Sequence, residues 1–530
     1  MTLQGTSLIA NSRGLATARR FRAMNPTTGA ALEPEFHEAS DAEAAQAMQA
    51  AAAAFADYRQ RSPQERALFL ERIAEGIEAL GDALIERANA ETALPVGRLT
   101  GERARTCSQL RLFAEVVREG SWVDARIDTA LPDRQPQPRP DIRRMLKGVG
   151  PVVVFGSSNF PLAFSTAGGD TAAAFAAGCP VIVKAHRAHP GTAELVGGAI
   201  ARAAAECGLP AGVFSMLHGS GATIGVAMVR HPAAAAVGFT GSRAAGRALF
   251  DAAAARECPI PVFAEMSSLN PLFLLPGALA ERGDAIAQGL FTSFTLGVGQ
   301  FCTKPGLIFA VKGAAMDRFV ATLAGLVEGA PAGTMLTAEI RAAFEAERAH
   351  VLAVDGVRRV ATSVAAVDLS KTQTIPSIAL TDASHFLATP ELATEAFGPF
   401  ALVILVDSLA EMVDCARALE GQLTATLHAT AADLAQAGPL LQEVERCAGR
   451  LIINGFSTGV EVSPAMNHGG PYPATTDVRY TSVGTAAMLR FARPHCYQGY
   501  PDALLPPQLR NANPLGIQRL IDNRLTREAL

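Results

Sequence analysis

Short apolar runs alternate with longer helical stretches through the middle of the chain. Between residues 145 and 240 each run has the length and the β-branched content of a buried strand. Strands that alternate with helices in this way predict a parallel sheet with helices on both faces. The predicted strands are residues 151–155, 180–184, 213–217 and 236–240, and the predicted helices cover about 163–178, 192–207 and 221–230.

The second half repeats this pattern less regularly and predicts a second α/β domain. We find no short-period repeat in the sequence. The predicted strands are residues 270–275, 306–311, 401–406 and 450–454, and the predicted helices cover about 281–295, 316–328, 337–350 and 431–446.

Residues 37–125 are predicted to be helical, with a clear helix start at Ser62 and Pro63. Before them, GTSLIA and FRAMNP predict a strand pair around a Gly and Ser turn. Residues 1–32 contain several arginines and no acid, which is also typical of a transit peptide, but the turn signals favour the strand pair. Residues 131–141, rich in Pro and Arg, follow neither period and predict an arm that leaves the domain.

Composition excludes several classes of protein. The chain has 530 residues, 49% of them hydrophobic, which is too apolar for a disordered protein. Its formal net charge of −4 makes a nucleic-acid partner unexpected, and no apolar run is long enough to span a membrane. The eight cysteines are scattered without CxxC or HExxH spacing, so we expect no metal site, no disulfide framework and a reducing, cytoplasmic setting.

Cys302 differs from the remaining cysteines because it lies in GVGQFCTKPG, a polar and flexible segment. A thiol on such a loop is a candidate nucleophile. The alternative is a structural thiol, since free cysteines are among the most buried residues.

Four further candidates lie at the ends of predicted strands. Gly241 and Ser242 open a helix that contains Gly246, a junction suited to a phosphate, although many strand-to-helix turns need Gly and Ser. Glu265 is a candidate general base or an ordinary paired acid. Asn159 could stabilise an oxyanion or simply form a turn. Lys184, next to His186 and Arg187, could bind ribose or phosphate or be solvated.

Taken in order, these residues resemble the NAD(P)-dependent aldehyde dehydrogenase superfamily over about residues 20–505. Each motif is modest alone, and the ordered set is highly specific. The matching positions are Asn159, Lys184, Gly241-Ser242 with Gly246, Glu265, Cys302, Glu395 with Phe397-Gly398-Pro399, and Asn454-Gly455.

The resemblance implies an α/β fold with a Rossmann-type cofactor domain, a second α/β catalytic domain and a small oligomerisation flap. The implied boundaries are residues 1–130 and 143–265 for the dinucleotide-binding domain and 266–484 for the catalytic domain. Residues 131–142 and 485–505 would form the flap, and 506–530 a C-terminal tail. An extended arm needs partners for its backbone, so the flap implies a homodimer or homotetramer.

The resemblance also implies a role for each matched residue. The Cys302 thiolate would attack the aldehyde, the Asn159 amide would hold the oxyanion, and Glu265 would activate water to release the acid. The implied cofactor-binding residues are Lys184, His186, Arg187, Gly241, Ser242, Gly246, Glu395 and Phe397.

Three departures from the family pattern matter. Met266-Ser267-Ser268 follows Glu265, where most members carry Gly-Gly after a Leu. His468 replaces an aromatic residue; it could lower the pKa of Cys302, contact an anionic substrate or be a bystander. Arg187 replaces the acid that many NAD-preferring members use, which favours NADP over NAD.

Several segments resemble the bacterial branch of the family that oxidises 2,5-dioxovalerate to 2-oxoglutarate: GSSNFPLAFS, VKAHRAHPGT, FCTKPG and HGGPYPATTD. Arg111 is the candidate for binding a remote substrate carboxylate. A long-chain aldehyde dehydrogenase is an alternative, to which Phe160 and Phe456 would contribute an apolar pocket. A non-catalytic scaffold and a CoA-acylating enzyme are two further hypotheses; the intact Cys302 argues against the scaffold and Glu265 against the acylating enzyme.

Overall fold

The computed structural model describes residues 2–530. Its strands are numbered in chain order. They are β1 (Leu8–Ile9), β2 (Ser12–Arg13), β3 (Arg20–Met24), β4 (Ala31–His37), β5 (Arg126–Asp128), β6 (Ile142–Gly148), β7 (Val152–Phe155), β8 (Val181–Lys184), β9 (Phe214–Leu217), β10 (Ala236–Thr240), β11 (Val262–Glu265), β12 (Leu272–Leu274), β13 (Leu307–Val311), β14 (Gly333–Thr334), β15 (Arg358–Thr362), β16 (Gln373–Thr374), β17 (Ser377–Asp382), β18 (Phe400–Val406), β19 (Gln422–His428), β20 (Ala448–Ile453), β21 (Ala492–Gln498), β22 (Arg519–Ile521) and β23 (Arg524–Thr526).

The helices lie mainly between the strands of two large sheets. They are α1 (Asp41–Tyr58), α2 (Pro63–Glu78), α3 (Gly81–Thr92), α4 (Val96–Glu119), α5 (Gly169–Ala176), α6 (Pro190–Glu206), α7 (Val226–Arg230), α8 (Arg243–Ala254), α9 (Pro276–Thr295), α10 (Ala314–Glu328), α11 (Ala338–Ala353), α12 (Ala383–Ala388), α13 (Leu409–Ala418), α14 (Ala431–Gln436) and α15 (Gly438–Cys447).

The first large sheet has the order β11-β10-β7-β8-β9-β1-β2. Its strands β7 to β11 are parallel, as the alternating pattern predicted, and β1 adds to β9 in the antiparallel sense. Because parallel strands end at the same edge, this sheet brings Glu265 and Lys184 to one side. Apolar clusters cover both faces, one of them centred on α2, α4, α5 and α6.

The second large sheet has the order β15-β17-β18-β13-β12-β19-β20, with β15 alone antiparallel. All four predicted strands are present. The sequence pattern missed β15, β17 and β19, because β15 and β19 mix Thr and charged or polar residues with apolar ones even though β19 is buried throughout. Burial on both faces therefore does not guarantee an apolar run.

A third sheet, with the order β21-β6-β5-β22-β23, stands apart from the two large ones. It differs from the predicted flap in two ways. Residues 506–530, expected to be a tail, supply β22 and β23. The Pro-rich arm is an exposed turn between β5 and β6, and β6 pairs within the chain with β5 and β21, so the strands next to the arm need no partner chain to satisfy their backbones.

Two local predictions were wrong. GTSLIA and FRAMNP do not pair with each other, because β1 lies in the first large sheet while β3 pairs with β4. The predicted helix over 163–178 is shorter, since only α5 (Gly169–Ala176) forms and residues 157–168 are an irregular loop. Both errors arise where Gly, Ser and Pro interrupt the pattern.

A buried ion pair ties the flap to the first sheet. Arg490, in the turn that leads into β21, donates from Nη2 to Oδ1 of Asp170 at the start of α5, over 2.7 Å. Their side chains are 3% and 11% exposed. No helix within residues 2–530 has the length and apolar character needed to cross a membrane.

We predict that Asp170→Ala destabilises the protein by about 3–5 kcal/mol, because it leaves the Arg490 charge buried and unpaired. The thermal unfolding midpoint, measured by circular dichroism, would fall accordingly. Asp251→Ala is the matched control, since it removes an exposed pair with Arg247 and should cost less than about 1 kcal/mol. Equal midpoints for the two variants would contradict the prediction.

Candidate active site

Cys302 lies on a loop between α9 and β13, and buried side chains hold the backbone of that loop. Asn270 donates from Nδ2 to the carbonyl oxygens of Cys302 and Lys304, over 2.8 and 3.0 Å. Asn270 itself has a positive φ of 47°, and its backbone N–H donates to Oε1 of Gln422 over 3.1 Å. Ser268 donates to the same Gln422 oxygen. The short crossing from β11 to β12 thus fixes the position of the thiol.

His468 contacts both Cys302 and Glu265, whose reactive atoms are also within 4.8 Å of each other. Its Nε2 is 3.5 Å from the Cys302 Sγ and 3.2 Å from the Glu265 Oε2, and its side chain is fully buried. Ser482 donates from Oγ to Oε2 of Glu265 over 3.0 Å. Thiol, imidazole and carboxylate therefore form one contiguous cluster, although the three residues are far apart in sequence.

The surroundings of this cluster oppose a free thiolate and favour a carboxylate. Burial and the nearby Glu265 charge raise the pKa of Cys302 well above its ordinary value. Burial also acts to raise the pKa of Glu265, but His468 and the hydrogen bond from Ser482 outweigh it, so the pKa of Glu265 is lowered. Cys302 can therefore ionise only if a neighbour accepts its proton.

Asn159 lies on the irregular loop that follows β7, on the other side of the nucleophile loop. Its Nδ2 donates to the carbonyl oxygen of Gln300 over 2.9 Å, and Arg98 donates to its backbone oxygen over 2.7 Å. An amide has two N–H donors, so one remains for an oxyanion next to Cys302.

Lys304 joins the nucleophile loop to the segment that carries Glu395. Its buried ammonium donates to the carbonyl oxygens of Ala396 and Phe400, over 3.0 and 2.9 Å. A Cβ placed on Gly299 would lie 2.3 Å from the Gly398 carbonyl carbon, so the two loops also touch backbone to backbone. Burial raises the pKa of Glu395 to about 7, opposed by the Ser267 hydroxyl and by Lys304.

The carboxyl edge of the first sheet holds the predicted cofactor residues. Ser242 caps α8 by accepting from the Ala245 N–H over 3.3 Å. A Cβ on Gly246 would lie 2.7 Å from the Met266 sulfur, so a larger residue would push this helix away from the site. Gly241 likewise approaches the Phe239 ring.

Lys184 is 8% exposed and has no hydrogen-bond or ion-pair partner within residues 2–530. Burial, with repulsion from Arg187, lowers its pKa to about 8. A buried ammonium without a partner fits a ligand that carries hydroxyl or phosphate oxygens. Arg187 is half-exposed, 3.4 Å from Glu38 and stacked on Phe21. His186 stacks on His189, and burial lowers the pKa of His186 well below its usual value.

Comparison with known proteins agrees with this arrangement. Residues 15–481 match the aldehyde dehydrogenase family. Alpha-ketoglutaric semialdehyde dehydrogenase 2 of Azospirillum brasilense is 53% identical over 525 residues, which are 99% of this chain and 100% of that protein. Alpha-ketoglutaric semialdehyde dehydrogenase of Acinetobacter baylyi is 48% identical over 523 residues, or 98% of this chain and 99% of that protein.

Solved structures agree in fold. Betaine aldehyde dehydrogenase from Staphylococcus aureus superposes with a TM-score of 0.80 at 18% identity, over 94% of this chain and 98% of that one. Aldehyde dehydrogenase C from Pseudomonas syringae, solved with NAD+ and octanal, superposes with a TM-score of 0.78 at 21% identity, over 94% of this chain and 98% of that one.

The chain belongs to the aldehyde dehydrogenase family. It is an oxidoreductase that converts an aldehyde to a carboxylic acid with a nicotinamide cofactor. Fold class and family, both predicted from the ordered motifs, are confirmed.

The structure places some of the predicted substrate-contact residues at the site and others away from it. Arg111 was wrongly chosen, because its guanidinium makes two 2.7 Å hydrogen bonds to Glu78 on the exposed side of α4. Phe456 packs against His428 and α9. Phe160 does lie at the site, with its ring 5.3 Å from that of Phe301. Phe397 is half-buried beside Glu395.

Sequence reasoning missed several residues that position the site. Three of them contact a predicted candidate: Arg98 contacts Asn159, Asn270 contacts Cys302 and Ser482 contacts Glu265. Apart from Lys304, which lies in FCTKPG, no local motif connects them to Cys302. They are Arg98 and Arg105 on α4, Asn270, Lys304, Gln422, Arg450 and Ser482. The helical spacing of Arg98 and Arg105, two turns apart, could have shown that they share one face.

We predict that His468→Phe slows alkylation of Cys302 by iodoacetamide at neutral pH by about tenfold or more, the effect of one pKa unit on the thiolate fraction. The reason is that Nε2 of His468 is the nearest nitrogen base to the thiol. Mass spectrometry would measure the rate. Cys258, which is exposed, serves as the internal control and should react equally in both proteins. An unchanged Cys302 rate would show that His468 does not assist ionisation.

Proposed function

We propose that this aldehyde dehydrogenase oxidises 2,5-dioxovalerate to 2-oxoglutarate, with NADP preferred over NAD. The observation that carries the proposal is the complete cluster of Cys302, His468 and Glu265 beside Asn159. The substrate follows from the two relatives that are about half identical over nearly their whole length, both named for alpha-ketoglutaric semialdehyde.

The reaction begins with transfer of the Cys302 proton. His468 Nε2 accepts it, and Glu265 at 3.2 Å stabilises the imidazolium that results. The Cys302 thiolate therefore forms together with the His468 imidazolium. The buried thiolate is never without a neighbouring positive charge. His468 is in this way the proton acceptor for the nucleophile.

The Cys302 sulfur then forms a bond to the aldehyde carbon and gives a thiohemiacetal oxyanion. The free N–H of the Asn159 amide donates to that oxygen, with help from the backbone N–H of Cys302. When bound, the nicotinamide supplies the acceptor for the hydride that leaves the former aldehyde carbon. Loss of the hydride converts the thiohemiacetal into a Cys302 thioester.

Hydrolysis of the thioester uses Glu265. Its Oε1 is buried and has no partner within residues 2–530, whereas Oε2 binds His468 and Ser482. The free oxygen is available to accept a proton from water as that water attacks the thioester carbon. The adduct then collapses to the carboxylic acid and the Cys302 thiolate, which takes back its proton from the His468 imidazolium, while Glu265 releases the proton it took from water.

Preference for NADP is supported by the charges at the end of β8. Lys184 and Arg187 place two cations there, while the lowered pKa of His186 keeps its imidazole neutral. Glu38 is already 3.4 Å from Arg187. A 2′-phosphate would compete with Glu38 for that guanidinium. Lys184 would bind the adenosine ribose, with Gly241, Ser242 and Gly246 at the phosphates and Glu395 and Phe397 at the nicotinamide ribose.

Assembly and location are part of the proposal. The β21 strand is the outer edge of the third sheet and offers its backbone to a second copy of the chain, which supports a homodimer or homotetramer. All eight cysteines are free thiols, and four of them are buried, which supports a reducing cytoplasm.

We predict that the KM for the cofactor falls as the pH rises through about 7, because burial raises the pKa of Glu395 to that value. Below it the carboxyl group is neutral and accepts only weak hydrogen bonds from ribose; above it the bonds are charge-assisted. Steady-state kinetics from pH 6 to 8.5 would measure this. Glu395→Gln should flatten the profile, whereas Glu391→Gln, an exposed neighbour, should keep it.

The proposed function is tested by recording reduced-cofactor absorbance with NADP and NAD against 2,5-dioxovalerate, succinic semialdehyde and a long-chain aldehyde. We expect the highest kcat/KM with 2,5-dioxovalerate and NADP. Arg187→Ala should lower kcat/KM for NADP roughly tenfold and leave kcat/KM for NAD unchanged. Preference for the long-chain aldehyde would move the activity to fatty aldehydes. Turnover that survives Cys302→Ala would overturn the mechanism, and no turnover with any pair would favour a scaffold.

A further inference from the structure

Aromatic rings connect the nucleophile to the helix α4. Phe301, adjacent to Cys302, lies with its ring centre 5.3 Å from that of Phe160, and Phe160 is 5.1 Å from Phe164. The guanidinium carbon of Arg105 lies 5.2 Å above the Phe164 ring. One wall beside the thiol is therefore apolar and ends at a cation.

The loop at residues 457–460 packs against Thr303, the residue after Cys302. Ser457 donates from Oγ to the Thr303 carbonyl oxygen over 2.7 Å, and the Gly459 N–H donates to the Thr303 hydroxyl over 3.3 Å. Arg105 reaches this loop as well, because its Nη2 donates to the Val460 carbonyl oxygen over 3.1 Å. The guanidinium thus bridges the two segments that flank the nucleophile loop.

Arg105 has spare hydrogen-bonding capacity. A guanidinium has five N–H donors, and within residues 2–530 Arg105 makes one hydrogen bond and no ion pair. The nearby Glu102 carboxylate accepts through Oε1 from the backbone N–H groups of Leu162 and Ala163 and, within residues 2–530, forms no ion pair with Arg105. The charges of Glu102 and Glu461 act on Arg105 only at longer range. Arg98, on the same face of α4, is occupied differently, because it supports the Asn159 backbone.

We propose that Arg105 binds the carboxylate of the substrate and so selects short aldehydes that carry an acid group at the far end. This inference rests on the proposed function, since it names the part of the site that would recognise a 2-oxo acid. The carboxylate carbon of 2,5-dioxovalerate lies about 5 Å from its aldehyde carbon in the extended form. A molecule of that length can reach a carboxylate-binding residue close to Cys302, such as Arg105, but not one on the protein surface.

The rings of Phe160 and Phe164 would contact the methylene groups between the two ends. A partly buried guanidinium without a carboxylate partner gains most from an incoming anion, because the anion restores the interactions that burial removed. Arg111, which already holds Glu78 in the open, gains little from a second carboxylate.

The experiment compares 2,5-dioxovalerate with pentanal, a neutral aldehyde of the same chain length. Arg105→Met should lower kcat/KM for 2,5-dioxovalerate by about tenfold to a hundredfold, mostly through KM, and leave pentanal within about twofold. Arg105→Lys should recover part of the loss because it keeps the charge without the planar fork. Arg111→Met is the matched control on the same helix and should match the unmodified enzyme with both aldehydes.

The outcomes separate this inference from the proposed function. If the unmodified enzyme does not prefer 2,5-dioxovalerate to pentanal, the proposed function fails. If it does and Arg105→Met keeps that preference, the assignment of Arg105 is wrong while the function stands. If Arg105→Met does not fold, the Arg105→Lys variant is used to test the assignment instead. A KM of Arg105→Lys for 2,5-dioxovalerate that equals the KM of the unmodified enzyme, at both low and high salt, would overturn the assignment.

Discussion

The site depends on the six-residue crossing between the two large sheets. Glu265 ends β11 and Leu272 begins β12, so the chain passes from one sheet to the other over Met266–Pro271. Ser268, Asn270 and Gln422 share hydrogen bonds there, and the Asn270 amide holds the carbonyl of Cys302. Glu265 lies at one end of this crossing, and Asn270, near the other end, holds the Cys302 carbonyl. The separation of Glu265 and Cys302 is therefore set by this polar network.

The reactive groups are kept in a condition that would be unfavourable elsewhere in the protein. A thiol with a raised pKa, an imidazole whose Nδ1 has no partner within residues 2–530 and a carboxylate with one oxygen in the same condition are packed together. Such groups cost stability in a folded core. The extensive apolar clusters on both sheets supply enough folding free energy to offset that cost, which is the usual relation between a catalytic centre and its scaffold.

Sequence reasoning worked where local chemistry and tertiary structure agree. The strands between residues 151 and 240 were predictable because each is a short, mostly apolar run with a turn after it. β19 was not, because Thr424 and Thr426 interrupt its apolar run although both are buried. The Thr424 hydroxyl donates to Oδ1 of Asn270 over 2.9 Å, whereas the Thr426 hydroxyl has no partner within residues 2–530. Arg111 was chosen for its position in a helix, but only three-dimensional packing reveals that Arg111 binds Glu78 and that Arg105 reaches the Val460 carbonyl oxygen. The contact of His468 with Cys302 spans 166 residues and has no local signal, so only the comparison with the family pattern pointed to it from sequence.

Lys304 gives the two halves of the site a common frame. Its ammonium grips two carbonyls of the Glu395 segment while its own carbonyl is held by Asn270, and Gly299 lies against Gly398 with no room for a side chain. Displacement of either loop alone would leave the buried Lys304 ammonium without its hydrogen-bond acceptors. Through Lys304 and Asn270, the Cys302 loop and the Glu395 segment are mechanically linked, so a ligand that shifts the Glu395 segment would also shift the loop that carries the thiol.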